Sequence, residues 1–186
     1  MIKFAKIIID RKNNEYRNLH FLPEVFSLML KYERFMFDDY FQANDIVKAL
    51  FDMVEASGRF FWAIVDSETN ELMGFAYFDN FIGNFQNLHS AEINTCFARK
   101  YWGSQVRFVA KKFIKYCFKI YGFKKIKATV FRENLMVKGL LRSLGFKKEA
   151  LLKGETIKNN KLQDVEIYSI TRREKCKQKK LIWRQS

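Results

Sequence analysis

Hydrophobic positions recur along this chain with two periods, and the switches between them predict its elements. After a short apolar opening, Phe4 to Ile9, the stretches LPEVFSLMLKYERFMFDDY and ANDIVKALFDMVEAS read as helices. In the second, Ile46, Val47, Leu50, Met53 and Val54 return at helical spacing, with Asn44 as the expected N-cap. RFFWAIVD and ELMGFAYFDNF are β-type runs joined by SETN, a connection of hairpin length and composition, which predicts an antiparallel pair. HSAEINTCFAR is a third strand. Val106, Ala110, Phe113, Cys117, Ile120 and Tyr121 then form the apolar stripe of a helix. Arg107, Lys111, Lys115 and Lys119 run along another side of it, and Gly122 closes it. KKIKATVF reads as a strand, RENLMVKGLLRSLG as a helix stopped by Gly145, and FKKEALLKG with DVEIYSITR as a closing strand pair.

Two helices, three strands, a helix, a strand, a helix and two strands make an α/β domain with a mixed central sheet and flanking helices. The strand-helix-strand crossover over residues 90–131 places two strands parallel. Ligands in such folds bind at the carboxyl ends of strands, near helix N-termini. The chain has no internal repeat and no low-complexity linker, and its one proline, Pro23, sits early. One domain is therefore expected over residues 1–170, followed by a basic tail over 171–186.

Composition narrows the function classes. At 186 residues and 48% hydrophobic the chain can bury a full core, and most of its 20 phenylalanines belong there rather than on a nucleic-acid stacking platform. No apolar run is long enough to span a membrane and no signal-peptide cleavage pattern follows the N-terminus, so a cytoplasmic location is expected. Cys96, Cys117 and Cys176 are odd in number and form no CxxC pair, with only His20 and His89 to accompany them. That argues against a disulfide framework and a structural metal site. Net charge is +14, and the tail TRREKCKQKKLIWRQS holds seven Lys or Arg against one Glu. The remainder keeps 27 basic and 19 acidic residues, or +8. A field of this sign attracts polyanions: nucleic acid, anionic membrane or a phosphorylated cofactor.

Four segments in order resemble the GCN5-related N-acetyltransferase (GNAT) superfamily over roughly residues 59–171, and within it the branch of ribosomal-protein N-terminal acetyltransferases. ELMGFAYF is similar to the family's third strand and AEINTCFARKYWGSQ to its fourth strand and cofactor loop. RENLMVKGLLRSLGF matches its Asn-helix-Gly-Phe segment and LQDVEIYSI its closing Asp-containing strand. The resemblance implies a GNAT-like fold, acetyl-CoA as acetyl donor and a primary amine as acceptor. The resemblance implies that this amine belongs to a protein N-terminus or another amine acceptor, such as a ribosomal protein or an aminoacylated RNA.

By this resemblance the cofactor lies against Cys96, Phe97 and Ala98, then Lys100, then Trp102, Gly103, Ser104, Gln105, Val106 and Arg107, with Asn134 beside its pantetheine arm. A turn feeding a helix offers unpaired N–H groups and a positive dipole end to a pyrophosphate, and Lys100, Arg99 or Arg107 adds charge. The family pattern places Gly or Ala where this chain has Gln105, so the loop either holds the cofactor through an altered contact or only caps the helix.

Glu92 matches the family's carboxylate base, acting directly or through water; its alternative role is a surface carboxylate paired with lysine. At pH 7.4 an α-amine is roughly a quarter neutral and a lysine amine about 0.1% neutral, so the former asks much less of a base. Asn134 is the second catalytic candidate and also an N-cap for the helix after it. The Ser or Tyr that relatives carry three or seven residues after that Asn is replaced here by Val137 and Leu141, which leaves Ser143 or water as proton donor. Backbone N–H groups near Thr95 to Phe97 would support the oxyanion, and Cys96 reads as a packed strand residue. His89 at the strand start is an assistant if its ring faces the cleft, and otherwise structural.

Two function classes follow: an N-acetyltransferase, or a catalytically degenerate relative that keeps the fold as a binding or assembly factor of a phage or mobile element. The tail, with Trp183 among its basic residues, either contacts nucleic acid or an acidic protein, or is a solvated terminus. The exposed final strands would pair across a homodimer.

Overall fold

The computed structural model describes residues 1–41, 45–84 and 87–172. Asn44, Cys176, Trp183 and the tail from residue 173 onward lie outside the described residues. The observed strands are β1 (Ile2–Asp10), β2 (Glu15–Arg17), β3 (Phe61–Asp66), β4 (Leu72–Asn84), β5 (Asn87–Phe97), β6 (Lys125–Phe131), β7 (Lys147–Lys158) and β8 (Lys161–Thr171). The helices are α1 (Leu22–Lys31), α2 (Glu33–Met36), α3 (Ile46–Ser57), α4 (Ser104–Tyr121) and α5 (Leu135–Ser143). The eight strands form one mixed sheet in the order β2-β1-β3-β4-β5-β6-β8-β7.

The expected α/β class and crossover are present: β5 and β6 pair in parallel through α4, while β3–β4, β4–β5, β6–β8 and β7–β8 are antiparallel. β3 is apolar at every position from Phe61 to Val65 because both of its faces are covered. Phe61, Ala63 and Val65 join a core with α1 and α3, and Trp62 and Ile64 join a second core with α4 and α5. Phe61, Phe75, Phe78 and Phe113 are completely or almost completely buried, each contributing roughly 2–3 kcal/mol of transfer free energy.

Four expectations need correction. The apolar opening is a full strand, β1, paired with β3 from Ile2↔Asp66 to Ile7↔Phe61, a long-range match that local periodicity cannot show. The helix expected over LPEVFSLMLKYERFMFDDY ends early, because the Asp38 and Asp39 side chains bond to β7 and its turn instead of continuing it. Ile120, placed on the buried stripe of α4, is 52% exposed in the last turn, beyond Cys117; Val109 and Ile114 are buried instead. β8 is no edge strand, since it lies between β6 and β7; β7 is the edge at that end. α3 is capped by Asp45, whose carboxylate accepts from Lys48 N at 3.0 Å, and Gly122 closes α4 in the left-handed conformation as expected.

Candidate active site

Pairing between β5 and β6 stops at Glu92↔Lys127, although β5 continues to Phe97 and β6 to Phe131. The strands part there and open a cleft of about 780 Å³. Ala110, Phe113 and Ile114 of α4 and Asn134, Val137 and Leu141 of α5 line it from one side of the sheet. Phe37, Asp38 and Tyr40 of the loop after α2 line it from the other, with Glu155 and Thr156 of β7. A cleft through a sheet admits two substrates from opposite faces and brings their reacting ends together.

Glu92 and Asn134, far apart in sequence, both line this cleft. Glu92 is half-buried; its Oε2 accepts from Asn80 Nδ2 at 3.1 Å, and it has no lysine partner among the described residues. Asn134 is the N-cap of α5, its Oδ1 accepting from Val137 N at 3.2 Å while the side chain faces the cleft. Val137 and Leu141 line the cleft as apolar groups, so no hydroxyl stands where relatives carry their acid. Ser143 does not replace it: it lies outside the cleft lining and donates to Leu140 O at 2.7 Å. His89 is exposed and outside the lining, and His20 packs against Phe21 with ring centroids 4.0 Å apart.

The sequence reading missed Tyr77, Asp79 and Asn94. The β4–β5 register sets Tyr77 opposite Asn94 and Asp79 opposite Glu92, so the four share one face. Asp79 Oδ2 accepts from Asn94 Nδ2 at 3.1 Å, while Oδ1 is buried without a partner among the described residues. Burial, and then the charge of Glu92, push the Asp79 carboxyl up to about 6. Burial, followed by the Asp79 and Glu92 charges, also raises the Tyr77 phenol, which lines the cleft and therefore keeps its proton. The signal was in the sequence, because pairing FAYFDN with AEINTC in hairpin register brings these residues together.

On the α4 side, the turn and helix start fit a pyrophosphate-bearing cofactor. The N-cap of α4 is Gly103 at φ 97°, a conformation that favours glycine, and it makes no side-chain capping bond. The N–H groups of Ser104, Gln105 and Val106 therefore sit at the positive end of an 18-residue helix with no carbonyl one turn before them. Ser104, Gln105 and Arg107 are exposed, whereas Val106 is buried in the core. Tyr32, at the end of α1, braces this loop: its hydroxyl accepts from Arg99 N at 3.1 Å and its ring lies 5.9 Å from that of Trp102. Trp102 Nε1 donates to Phe97 O at 2.8 Å. Lys100 is engaged by Glu71 at 2.6 Å, which leaves Arg99 and Arg107 as the exposed cations of the loop without ion pairs among the described residues.

Leading into the loop, Phe97 packs in the core on the α4 side and Cys96 in the core on the α1 side, with Ala98 touching both. Burial pushes the Cys96 thiol up to about 12, so it is a packed side chain and not a nucleophile.

The sequence pattern of the family described as "Acetyltransferase (GNAT) domain" matches residues 13–147. The chain is 33% identical over 139 residues to an uncharacterized N-acetyltransferase, p20, of Bacillus licheniformis, covering 74% of this chain and 76% of that one. Its fold is similar to a spermidine N-acetyltransferase from Vibrio cholerae solved with CoA and spermine (TM-score 0.70, 20% identity, 91% of this chain and 95% of that one). It is equally similar to a ribosomal-protein-S5-alanine acetyltransferase from Vibrio fischeri (TM-score 0.69, 16% identity, 91% and 92%). Fold likeness therefore does not select the ribosomal-protein branch. The match over residues 13–147, with Glu92 and Asn134 brought to one cleft, places this chain in the GNAT acetyltransferase family.

Proposed function

We propose that this protein is an N-acetyltransferase that moves an acetyl group from acetyl-CoA to a primary amine. The reading is carried by one observation: the strand bearing Glu92 opens away from β6 into a cleft that also holds Asn134 and is walled by α4, a helix whose start has no side-chain cap. When bound, acetyl-CoA supplies a thioester-activated acetyl group. Ser104, Gln105 and Val106 would hold its pyrophosphate through backbone N–H groups, and Arg99 and Arg107 would add charge.

Glu92 takes the proton that the amine must lose, directly or through water. Beyond Glu92, β5 is free of β6, so backbone N–H groups there can face an oxyanion. Tyr77, with its raised pKa, acts as a hydrogen-bond donor rather than a proton source. No dedicated acid replaces Val137 and Leu141, and general acid catalysis contributes about 10²–10⁴-fold, so a slow enzyme is expected. The same substitutions, with Gln105, support the second reading of a binding or assembly factor; the basic tail would then contact nucleic acid.

Two variants separate the readings. Gln105→Glu puts a carboxylate on the first turn of α4, which favours the helix through its dipole but repels a pyrophosphate. The expected result by calorimetry is acetyl-CoA binding weakened at least about tenfold, with thermal stability kept. Glu92→Gln should leave acetyl-CoA binding in place and slow transfer by about 10²–10⁴-fold. Absence of acetyl-CoA binding to the parent protein at millimolar concentration would overturn the enzyme reading.

A further inference from the structure

A second cavity, of about 650 Å³, lies toward the β2 end of the sheet, between β1, β2 and the Gly58–Phe60 turn after α3. It shares no lining residue with the cleft between β5 and β6. Lys6, Lys12, Arg17 and Arg59 line it together with Asp10, Glu15 and Glu55. The three carboxylates are already engaged. Asp10 accepts from Asn13 N at 3.0 Å and from Asn13 Nδ2 at 2.8 Å. Glu15 pairs with Arg17 at 2.8 Å, and Glu55 with Arg11 at 3.2 Å. Lys6, Lys12 and Arg59 form no ion pair among the described residues, so the unmatched charge in this cavity is positive.

Lys6 is half-buried, and the register of β1 with β3 sets it opposite Trp62. Its Nζ lies 4.8 Å from the Trp62 ring centroid and 5.7 Å from that of Tyr121. The ring faces attract the ammonium but bring no net charge to neutralise it. Burial lowers the Lys6 pKa, and Arg59 and then Arg17 push it further down, with Glu15 acting less strongly in the opposite sense. The backbone of Arg59 is held at this place, because Tyr121 Oη donates to its carbonyl at 3.1 Å and ties the turn to the end of α4. A lysine partly removed from water beside two arginines is unfavourable until an anion joins them. A lysine point charge next to an arginine fork is the combination that phosphate oxygens accept.

We propose that this cavity binds a small phosphate-bearing anion, with Lys6 and Arg59 donating to its oxygens and Arg17 adding charge from β2. The site is separate from the loop at the start of α4 and does not depend on the transfer reading above.

The experiment is calorimetric titration of the full-length protein, at constant ionic strength and with CoA present, by inorganic phosphate, pyrophosphate, ribose 5-phosphate and succinate. At least one of the three phosphate compounds is expected to bind at least about tenfold tighter than succinate. Lys6→Gln and Arg59→Gln should each weaken that binding about tenfold or more, with thermal melting used to confirm that both variants fold. Arg59 is exposed and its side chain makes no hydrogen bond among the described residues, so Arg59→Gln keeps the test decisive even if Lys6→Gln disturbs β1. Arg107→Gln, in the first turn of α4, should leave the binding unchanged. Inorganic phosphate binding as tightly as ribose 5-phosphate would support the site with free phosphate as its ligand; a tighter ester would support it with a phosphorylated metabolite. No binding of any phosphate compound at millimolar concentration, succinate binding as tightly, binding untouched by Arg59→Gln, or binding lost in Arg107→Gln overturns the proposal.

Discussion

Asp79 faces Glu92 across β4 and β5, and one of its oxygens is buried with no partner among the described residues. Its carboxyl is held at about 6 against an ordinary value of 3.8, chiefly by burial and next by Glu92. The folded chain therefore binds this proton more tightly than the unfolded chain does, and stability falls as pH rises from about 4 to about 6. Asp79→Asn keeps an oxygen for Asn94 and removes the buried charge. The variant should melt a few degrees above the parent at pH 7, with the difference gone at pH 4; the same offset at both values would contradict this origin. The sequence offered Glu92 and Asn134 as candidates because each sits in a short motif with a fixed neighbourhood, and both line the cleft. Tyr77 and Asp79 needed the hairpin register of β4 and β5 to be worked out, and Asp38 and Glu155 were not legible at all, since their places depend on a loop docked against β7.

At the scale of elements, the cleft depends on how β5 ends. Gly74 of β4 lies against that end: a Cβ there would meet Cys96 O at 2.3 Å and Phe97 Cα at 2.9 Å. Both are backbone atoms, so no flexible side chain can yield. Gly74→Ala should push β5 away just before the cofactor loop, costing about 1–3 kcal/mol and weakening acetyl-CoA binding. Thermal melting and calorimetry on this variant check both effects, and parent-like stability would show that β5 can move freely. A comparable dependence operates at β7, where Asp164 accepts from Gly154 N at 3.0 Å and from Arg132 at 2.8 Å. That anchors the irregular stretch before Thr156, from which Glu155 reaches the cleft. Strands, the crossover and the α4 stop were readable because each has a local signature: alternation, length or a glycine. The early break after α1 and the pairing of β1 with β3 were not, because both are decided by residues distant in sequence.

At the scale of the whole molecule, two fields of opposite sign would act on the two proposed substrates, acetyl-CoA and an amine. Acetyl-CoA is a polyanion approaching a chain of net charge +14, so long-range attraction speeds its encounter. A protonated amine acceptor would meet the same field as a barrier until it reached Asp38, Glu92 and Glu155 inside the cleft. Added salt screens charges beyond the Debye length, about 30 Å at 10 mM and about 8 Å at 150 mM, and acts much less on groups in close contact. The distant repulsion is therefore removed before the local attraction is. Raising ionic strength across that range should lower kcat/KM for acetyl-CoA and raise kcat/KM for a protonated amine acceptor, measured with the other substrate saturating. Among acceptors, an amine carrying one charge should respond about half as steeply on a logarithmic scale as one carrying two. If both substrates instead lose kcat/KM together as salt rises, the cleft field dominates at long range and the net charge of the chain does not govern acceptor encounter.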